Sequence, residues 1–580
     1  MSVAEKFNSF YTNVASKLVE KLPFCQNVFG RNFVLNYYAS KGVIPNNFAL
    51  SIVYENTILK YLNKLSDNKA TGLDGISSRF VRDSASIITC PLTHIVNLSI
   101  IQGSVPDDLK SARVIPLYKK NDKTEVGNYR PVSILSIISK IFERVVYDQV
   151  VGYLDDKKLL YSFQSGFRRG FSTETCLIHL SDFIRFNMDK GNLVGMVLLD
   201  LQKAFDTVDH GILLMKLEAI GLHGDAIRWF RSYLSDRNQL VDVSGIFSTE
   251  APITCGVPQG SILGPLLFLI YVNDMSAAVN DKVLLYADDS CILVTGKSRS
   301  DIEEQLSKDL EVIGTWLVNN KLSLHLGKTE SILFGSKPKI RNGSTLNISC
   351  NGATISATSS VKYLGATLDQ NLSGETIAMA VIGKANSRLK FLYRKSKFLT
   401  MHTRKLLVSS LIQCHFDYSC SFWYPGLTQF LKSRLQSTQN KLVRFVLGLD
   451  NRSHVGEEQF VYLNWLPVSK RVDQIMLGHV HKIRYGLAPD YMGEHFIPLK
   501  TVHSRNTRSN VFVTNNCPSV VNDFQFNDTG IFAKPRVKGF GEKSFVSRGV
   551  LLWNDLPQSL RDIPKSSNFK TSVKKHMLTF

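Results

Sequence analysis

Apolar and polar residues follow two rhythms along this chain, and each change of rhythm marks an element. Residues 4–22 set Phe7, Tyr11, Val14, Leu18 and Leu22 at helical spacing. Further helical runs lie at about 54–65, ending in the turn cluster SDNKATGLDGIS, and at 83–102. After Pro106, SARVIPLYKK reads as a short strand leading into a basic loop. Residues 132–154 are expected to form one long helix with Ile134, Ile138, Ile141, Val145 and Val150 on its apolar side. LVGMVLLDL (193–201) is almost wholly apolar, as a strand buried on both faces should be. Helices are predicted at 209–220, 224–235, 261–275 and 300–319, strands at 238–243, 250–254 and 329–335, and a hairpin at 283–295. Helical spacing dominates from 370 to about 486, and residues 491–580, rich in Asn, Ser, Pro and Lys, read as a looser module. The pattern predicts an α+β fold: one antiparallel sheet with helices packed on it.

Composition narrows the class. A chain of 580 residues with 44% hydrophobic and 20% charged positions can bury several cores, which excludes wholesale disorder. No uncharged apolar run reaches the ~18 residues of a spanning helix, and the N-terminal stretch lacks the basic-then-apolar pattern of a signal peptide. The nine cysteines contain no Cys-x-x-Cys pair, and Cys414, His415 and Cys420 have no nearby residues to complete a zinc site. Scattered, odd-numbered cysteines point to a reduced, intracellular protein. The net charge of +20 is unevenly placed: Lys and Arg exceed Asp and Glu by 3 over residues 1–369 and by 17 over residues 370–580. Such an excess suits a polyanion, either nucleic acid or an anionic membrane.

Candidate chemistry centres on Tyr286-Ala287-Asp288-Asp289, between the apolar runs VLL and CILV. Two adjacent carboxylates at a hairpin tip repel one another and gain from a cation. Asp200 ends a buried apolar strand, where solvation alone explains an acid poorly. A sheet that brings this strand end beside the hairpin tip would gather three hard oxygen ligands suited to Mg²⁺. A pair of such ions can activate a 3′-hydroxyl and stabilise leaving pyrophosphate. Phe205 is either a core ring or a wall against a sugar 2′-hydroxyl, and Asp206 is better read as a cap or turn residue than as a metal ligand. Gly256-Val-Pro-Gln259-Gly260-Ser261 makes a constrained loop before a helix, with glycines that admit close backbone approach. Arg113, Lys119, Lys120 and Arg130 surround a polar loop suited to a triphosphate. Gly166-Phe-Arg168-Arg169-Gly170-Phe171 interleaves cations and aromatics, as a nucleic-acid groove does.

Taken in order, KKNDKTEVGNYRPVSIL, SGFRRGFSTET, LLDLQKAFDTVDH, GVPQGSILGPLLFLIYVNDM and YADD resemble the reverse transcriptases of LINE-type, jockey-like non-LTR retrotransposons. NKLSLHLGKTE (320–330), Tyr363-Leu364-Gly365, FNSFYTNVASKL near the start, and LNWLPVSKR and LLWNDLPQSLR near the end extend the resemblance over nearly the whole chain. The resemblance implies a right-hand polymerase with fingers at about 98–199 and 211–250, a palm, and a helical thumb after 370. The expected divisions are an N-terminal helical extension (1–97), the reverse transcriptase domain (98–369), a thumb-like region (370–490) and a basic, mainly helical C-terminal region (491–580). It implies that Asp200, Asp288 and Asp289 bind two Mg²⁺ or Mn²⁺ ions, that Tyr286 and Ala287 contact the nucleotide, and that Lys328 protonates pyrophosphate. Phe205 falls at the steric gate against ribonucleotides, Gln259 and Gly260 at the nucleotide-contacting turn, and Arg130 and Lys119 (or Lys120) where the triphosphate is gripped. Gly166, Arg168 and Arg169 fall at the template, and Tyr363, Leu364 and Gly365 at the primer grip. His325 stands where many relatives carry Asn.

The partners implied are an RNA template, a DNA primer or target, deoxynucleotides and the element's own RNA in a ribonucleoprotein, in cytoplasm and nucleus, without a membrane. No endonuclease and no ribonuclease H acid set is recognisable, so a polymerase separated from its nuclease is expected. Two alternatives stand: a catalytically silent RNA-binding relic or domesticated protein, and another polymerase of the same hand, such as a group II intron maturase, a telomerase or an RNA replicase. Deleting the basic segment 491–580 is expected to weaken template binding and flatten its salt slope more than it lowers the rate at saturating template.

Overall fold

Leu193–Leu199 forms the middle of a five-stranded sheet because its side chains are apolar on both faces and find helices on each. The computed structural model describes residues 2–43, 47–340, 345–350, 352–499 and 530–579. The strand order is Ser356–Ala357, Glu330–Phe334, Leu193–Leu199, Asp289–Gly296, Lys282–Tyr286. The central strand runs antiparallel to both neighbours, with Val194 opposite Thr295 on one side and Phe334 on the other. Helix Arg299–Asn319 covers one face, where Gly195 admits it: a Cβ there would lie 2.3 Å from Ile302 Cγ2. Helix Thr173–Asp189 covers the other and starts on a capping box between Ser172 and Thr175.

A second five-stranded sheet stands apart from the first, in place of the single sheet expected. Its path is Tyr129–Ile134, Ser111–Tyr118, Arg237–Val243, Ile246–Phe247, with Ala251–Ile253 also paired to Arg237–Val243. Ser111–Tyr118 and Arg237–Val243 pair in parallel across more than a hundred residues of chain, a relation that local periodicity does not encode. The helix expected over 132–154 also starts later. Tyr129–Ile134 is a strand in register with Ser111–Tyr118, and the helix is Ile137–Asp156, begun by Ser136, whose Oγ accepts from the Ile138 N–H at 3.2 Å. Val132 and Ile134 belong to the pleat and not to the helical stripe; Pro131, which cannot donate to a helix, marks the break. Helices Arg31–Ser40 and Thr173–Asp189 were not anticipated from spacing.

Helix Val3–Val19 lies on the second sheet, burying Phe7 and Tyr11 against Val114 and Val241. The Asn8 amide donates to the Thr249 carbonyl at 2.8 Å, and its oxygen accepts from Gln239 at 2.9 Å. Beyond 370 the chain is helical as expected, with long helices at Glu375–Tyr393, Gln429–Leu447 and Val468–Arg484. The described part of the C-terminal region is not loose. Phe545, Val550, Trp553, Phe569 and Val573 share one buried cluster with Val194, Met196 and Leu293 of the first sheet. The Arg185 guanidinium, buried between the two, donates to the carbonyls of Lys543 (2.7 Å) and Leu372 (3.2 Å). Among the described helices, Ala85–Gln102 is long and apolar enough to cross a membrane by length and composition. It contains Pro91, and its buried face, Leu92, Val96 and Ile100, packs with Ile58, Leu62 and Phe142.

Candidate active site

The ends of three strands define the site. Lys282–Tyr286 and Asp289–Gly296 are joined by a two-residue turn, Ala287-Asp288, in which Ala287 takes φ +57°. Tyr286 pairs with Asp289 across the turn, so both acids sit at its tip, open to solvent on the outer side while the Asp289 carboxyl is partly desolvated by the atoms around it. The central strand pairs Leu199 with Ser290; one further step in that register sets Asp200 opposite Asp289. The electrostatics agree: burial, then the Asp288 and Asp200 carboxylates, push the Asp289 carboxyl up to about 6, and Lys119 opposes them. Like charges collect here with no acid–base pairing tight enough to cancel them.

The loop before Glu330–Phe334 closes the site from the other side. The His325 N–H donates to the Asp200 carbonyl and the Gln202 N–H to the Ser323 carbonyl, both at 2.8 Å. This pairing carries Lys328 to the acids, its Nζ 3.9 Å from Asp200 Oδ2, with both side chains about half exposed. Arg130 and Lys119 are exposed on adjoining strand ends of the second sheet, linked by the Lys119 N–H donating to the Asn128 carbonyl. Lys203 was missed by the sequence reading. Its ammonium donates to the carbonyls of Gly127 (3.3 Å) and Tyr129 (3.4 Å); burial lowers its affinity for a proton, Asp206 opposes this, and Lys119, Arg130 and Lys328 add to it. Its signal was position alone, three residues after Asp200, and at φ +48° it turns the chain away from the strand.

Phe205 is half buried, stacked on Phe268 with centroids 4.4 Å apart and planes 22° apart, its edge toward exposed Phe167. Asp206 does not cap the next helix; Asp209 does, accepting from the Ile212 N–H at 2.9 Å. Asp206 is instead the anchor of Gln259, whose amide donates to it at 2.7 Å. Gly260 lies against the second sheet, where a Cβ would come within 2.3 Å of the Ser133 carbonyl, and φ +131° suits glycine. Buried Glu143 fixes the following helix start by accepting from the Ile262 N–H at 2.6 Å.

The basic loop divides. Gly166 lies against the hairpin turn, where a Cβ would meet the Ala287 nitrogen at 2.5 Å. Arg168 is occupied: it donates to the carbonyls of Tyr161 (3.0 Å) and Gln164 (3.1 Å) and lies over the Phe171 ring. Arg169 is exposed. Tyr363 is buried with its hydroxyl near Cys176, and Leu364-Gly365, with φ +46° and +79°, turns the hairpin Ser360–Tyr363/Ala366–Asp369. Tyr418 donates to the Leu364 carbonyl at 2.6 Å.

Among the described residues no three His, Cys, Asp or Glu side chains close into a metal cage. Three carboxylates on neighbouring strand ends supply hard oxygen donors, and the raised Asp289 carboxyl marks the place where a divalent cation would relieve repulsion.

Residues 118–368 match the family model described as reverse transcriptase (RNA-dependent DNA polymerase). The chain is 32% identical over 333 residues to the RNA-directed DNA polymerase from mobile element jockey of Drosophila melanogaster, an alignment covering 56% of this chain and 36% of that protein. It is 26% identical over 407 residues to the probable RNA-directed DNA polymerase from transposon BS of the same species, covering 67% of this chain and 44% of that protein. The jockey polymerase of Drosophila funebris is 29% identical over 325 residues, covering 54% and 35%. The chain thus spans less than half the length of these three relatives. Over the matched part of the chain, the resemblance to non-LTR retrotransposon reverse transcriptases read from the motifs is borne out.

Proposed function

We propose that this chain, which carries a reverse transcriptase domain similar to those of non-LTR retrotransposons, is an RNA-directed DNA polymerase that extends a DNA 3′-hydroxyl on an RNA template. The observation that carries the reading is the register that sets Asp200 across from Asp289 beside Asp288, with Lys328 3.9 Å from Asp200 and Lys119 acting on Asp289. In this reading the first sheet is the palm, the second belongs to the fingers, and the helices from Glu375 form the thumb.

Asp200, Asp288 and Asp289 would hold Mg²⁺ or Mn²⁺, which supplies activation of the 3′-hydroxyl and neutralises charge on the triphosphate. The protein's own ligand set is open, so substrate oxygens complete it. Arg130, Lys119 and Lys203 draw the triphosphate against the carboxylates, and Lys328, beside Asp200, delivers a proton to departing pyrophosphate. Phe205, braced by Phe268, walls the sugar and disfavours a 2′-hydroxyl. The Gln259-Gly260 turn, held by Asp206 and Ser133, offers backbone to the incoming nucleotide. Template RNA, a DNA primer and the element's RNA in a ribonucleoprotein are the partners that follow.

Primer extension on an RNA template with dNTPs and Mg²⁺ tests the reading. Wild type should extend and Asp288→Asn should not; template binding without extension by folded wild type would instead identify a silent RNA-binding relic.

A further inference from the structure

Helix Val3–Val19 is fastened to the stretch of chain that leads into the Gln259-Gly260 turn. The Glu5 carboxylate accepts from the N–H of Thr249 at 3.0 Å and from its hydroxyl at 2.6 Å. The same helix reaches the turn after Asp200, where Lys203 Nζ stands 5.5 Å from the centre of the Phe10 ring. Phe7 and the Tyr11 ring fill the face of the second sheet against Val114 and Val241. Packing accounts for that ring and not for its hydroxyl, since phenylalanine would fill the same space.

Tyr11 borders a cavity of about 50 Å³ whose other walls include Asp206, Arg237, Gln239 and Gln259. Tyr11 is 9% exposed and Arg237 2%. Among the described residues Tyr11 Oη and Arg237 Nε and Nη2 have no hydrogen-bond partner, while Arg237 Nη1 donates to the Tyr233 carbonyl at 3.1 Å. Two residues with unpaired buried donors therefore line a hollow that also has a carboxylate in its wall. Burial, then the Asp206 charge, push the Tyr11 phenol up, which sets its hydroxyl within reach of that carboxylate's field. A buried donor left unpaired is costly, and the hollow has room for about three waters at ~15 Å³ each. Water there completes the bonds of Tyr11 and Arg237 and passes them to Asp206. Gln259 donates to Asp206 Oδ1, which leaves Oδ2 to receive them.

We propose that helix Val3–Val19 is part of the nucleotide site, with Tyr11 as a positioning residue. Its hydroxyl, through water in this cavity, fixes the Asp206 carboxylate and thereby the Gln259-Gly260 turn on which the incoming nucleotide rests. The inference rests on the proposed function for the identity of that nucleotide.

Tyr11→Phe keeps the ring and removes the hydroxyl. In single-nucleotide extension by the full chain it should raise KM for dNTP about fivefold, with kcat within about twofold. Primer–template affinity, read by anisotropy, and the urea unfolding midpoint should match wild type. A helix that serves packing alone predicts no change in KM, because the ring is kept. In an Asp206→Asn background Tyr11→Phe should add less than about twofold, since the relay is already cut. Asn13→Ala, on the exposed side of the same helix, is the control and should change nothing. An unchanged KM in Tyr11→Phe, a KM rise that comes with lost unfolding stability, or the full effect in the Asp206→Asn background would overturn the proposal. Binding of mant-dATP, which needs no product, is scored on the same proteins. No extension by folded wild type would overturn the polymerase reading alone and leave this proposal to the mant-dATP arm. There Tyr11→Phe should weaken affinity about fivefold, and equal affinity refutes it.

Discussion

The side-chain carbonyl of Gln164 accepts hydrogen bonds from the backbone N–H groups of Ala287, at 3.0 Å, and of Gly166, at 2.9 Å. It thereby clamps the hairpin turn that presents Asp288 and Asp289, with Ala287 in a left-handed conformation that a non-glycine residue adopts at some cost. Gln164 is buried and its Nε2 has no partner, so the acceptor atom carries the contact. Gln164→Ala should leave two buried donors unsatisfied, at a cost of about 1–3 kcal/mol each, and free the turn. Extension should slow by about tenfold or more, while primer–template affinity, read by anisotropy, stays within about twofold. Gln164→Glu, which keeps an acceptor, should recover part of the rate. Equal losses in rate and affinity for Gln164→Ala would count against a positioning role.

Phe205 rests on Phe268 and not on the turn, so its removal should open space without moving the acids. Phe205→Val is expected to raise ribonucleotide use relative to deoxynucleotide use by about 10- to 100-fold, the range a lost steric contact supplies. Competing rNTP and dNTP in single-nucleotide extension measures the ratio, and an unchanged ratio would leave Phe205 as a core ring.

Lys216 and Asp274 form a fully buried ion pair at 2.6 Å. Lys216 also donates to the Tyr271 carbonyl, and Asp274 accepts from Trp316 Nε1 at 2.9 Å, so the pair ties three helical segments under the first sheet. Lys216→Met strands a buried carboxylate and should cost about 3–5 kcal/mol. Lys216→Met/Asp274→Leu should recover much of that loss in urea unfolding, because the remaining cost is packing and not an unpaired charge.

Asp182 lies buried in helix Thr173–Asp189 and accepts from the N–H groups of Phe545 (2.8 Å) and Val546 (3.1 Å). Burial pushes its carboxyl up to about 6, against those hydrogen bonds and Arg185. An acid whose folded pKa exceeds its unfolded value of about 3.9 holds its proton more tightly when folded. Its contribution is therefore fully present below about pH 4, declines as pH rises toward 6 and is constant above, a change of about 3 kcal/mol. Urea unfolding at several pH values should show this decline, and Asp182→Asn should flatten it over that window whatever its effect on absolute stability.

The carboxylate centre was legible because apolar runs end on acids: LVGMVLL on Asp200, and VLLYA on Asp288 and Asp289. A buried strand has few reasons to end that way. Lys203 and Gln164 were not legible, since a lysine in a loop and a glutamine before a serine look like ordinary polar positions until the chain folds back on Gly166 and the Asp200 turn. The strand at 129–134 was hidden by its continuity with the helix after it, the two apolar sets running together at Ile134. The second sheet depends on partners at 111–118 and 237–243, a pairing that period alone never states. Aromatic residues of 545–569 are spaced as in any amphipathic helix, so the core they enter was equally invisible.

That shared core has a consequence for the order of synthesis. The buried cluster beneath the central strand begins at Cys176 and ends at Val573. A growing chain can present Asp200, Asp288 and Asp289 on the ribosome long before Phe545, Trp553 and Phe569 exist to cover helix Thr173–Asp189. Until the last helix emerges, that helix keeps an uncovered apolar flank and Asp182 lacks its two N–H donors. Removal of the helices from Phe545 onward would therefore bare that apolar flank and strip Asp182 of its two donors, rather than trim an independent tail.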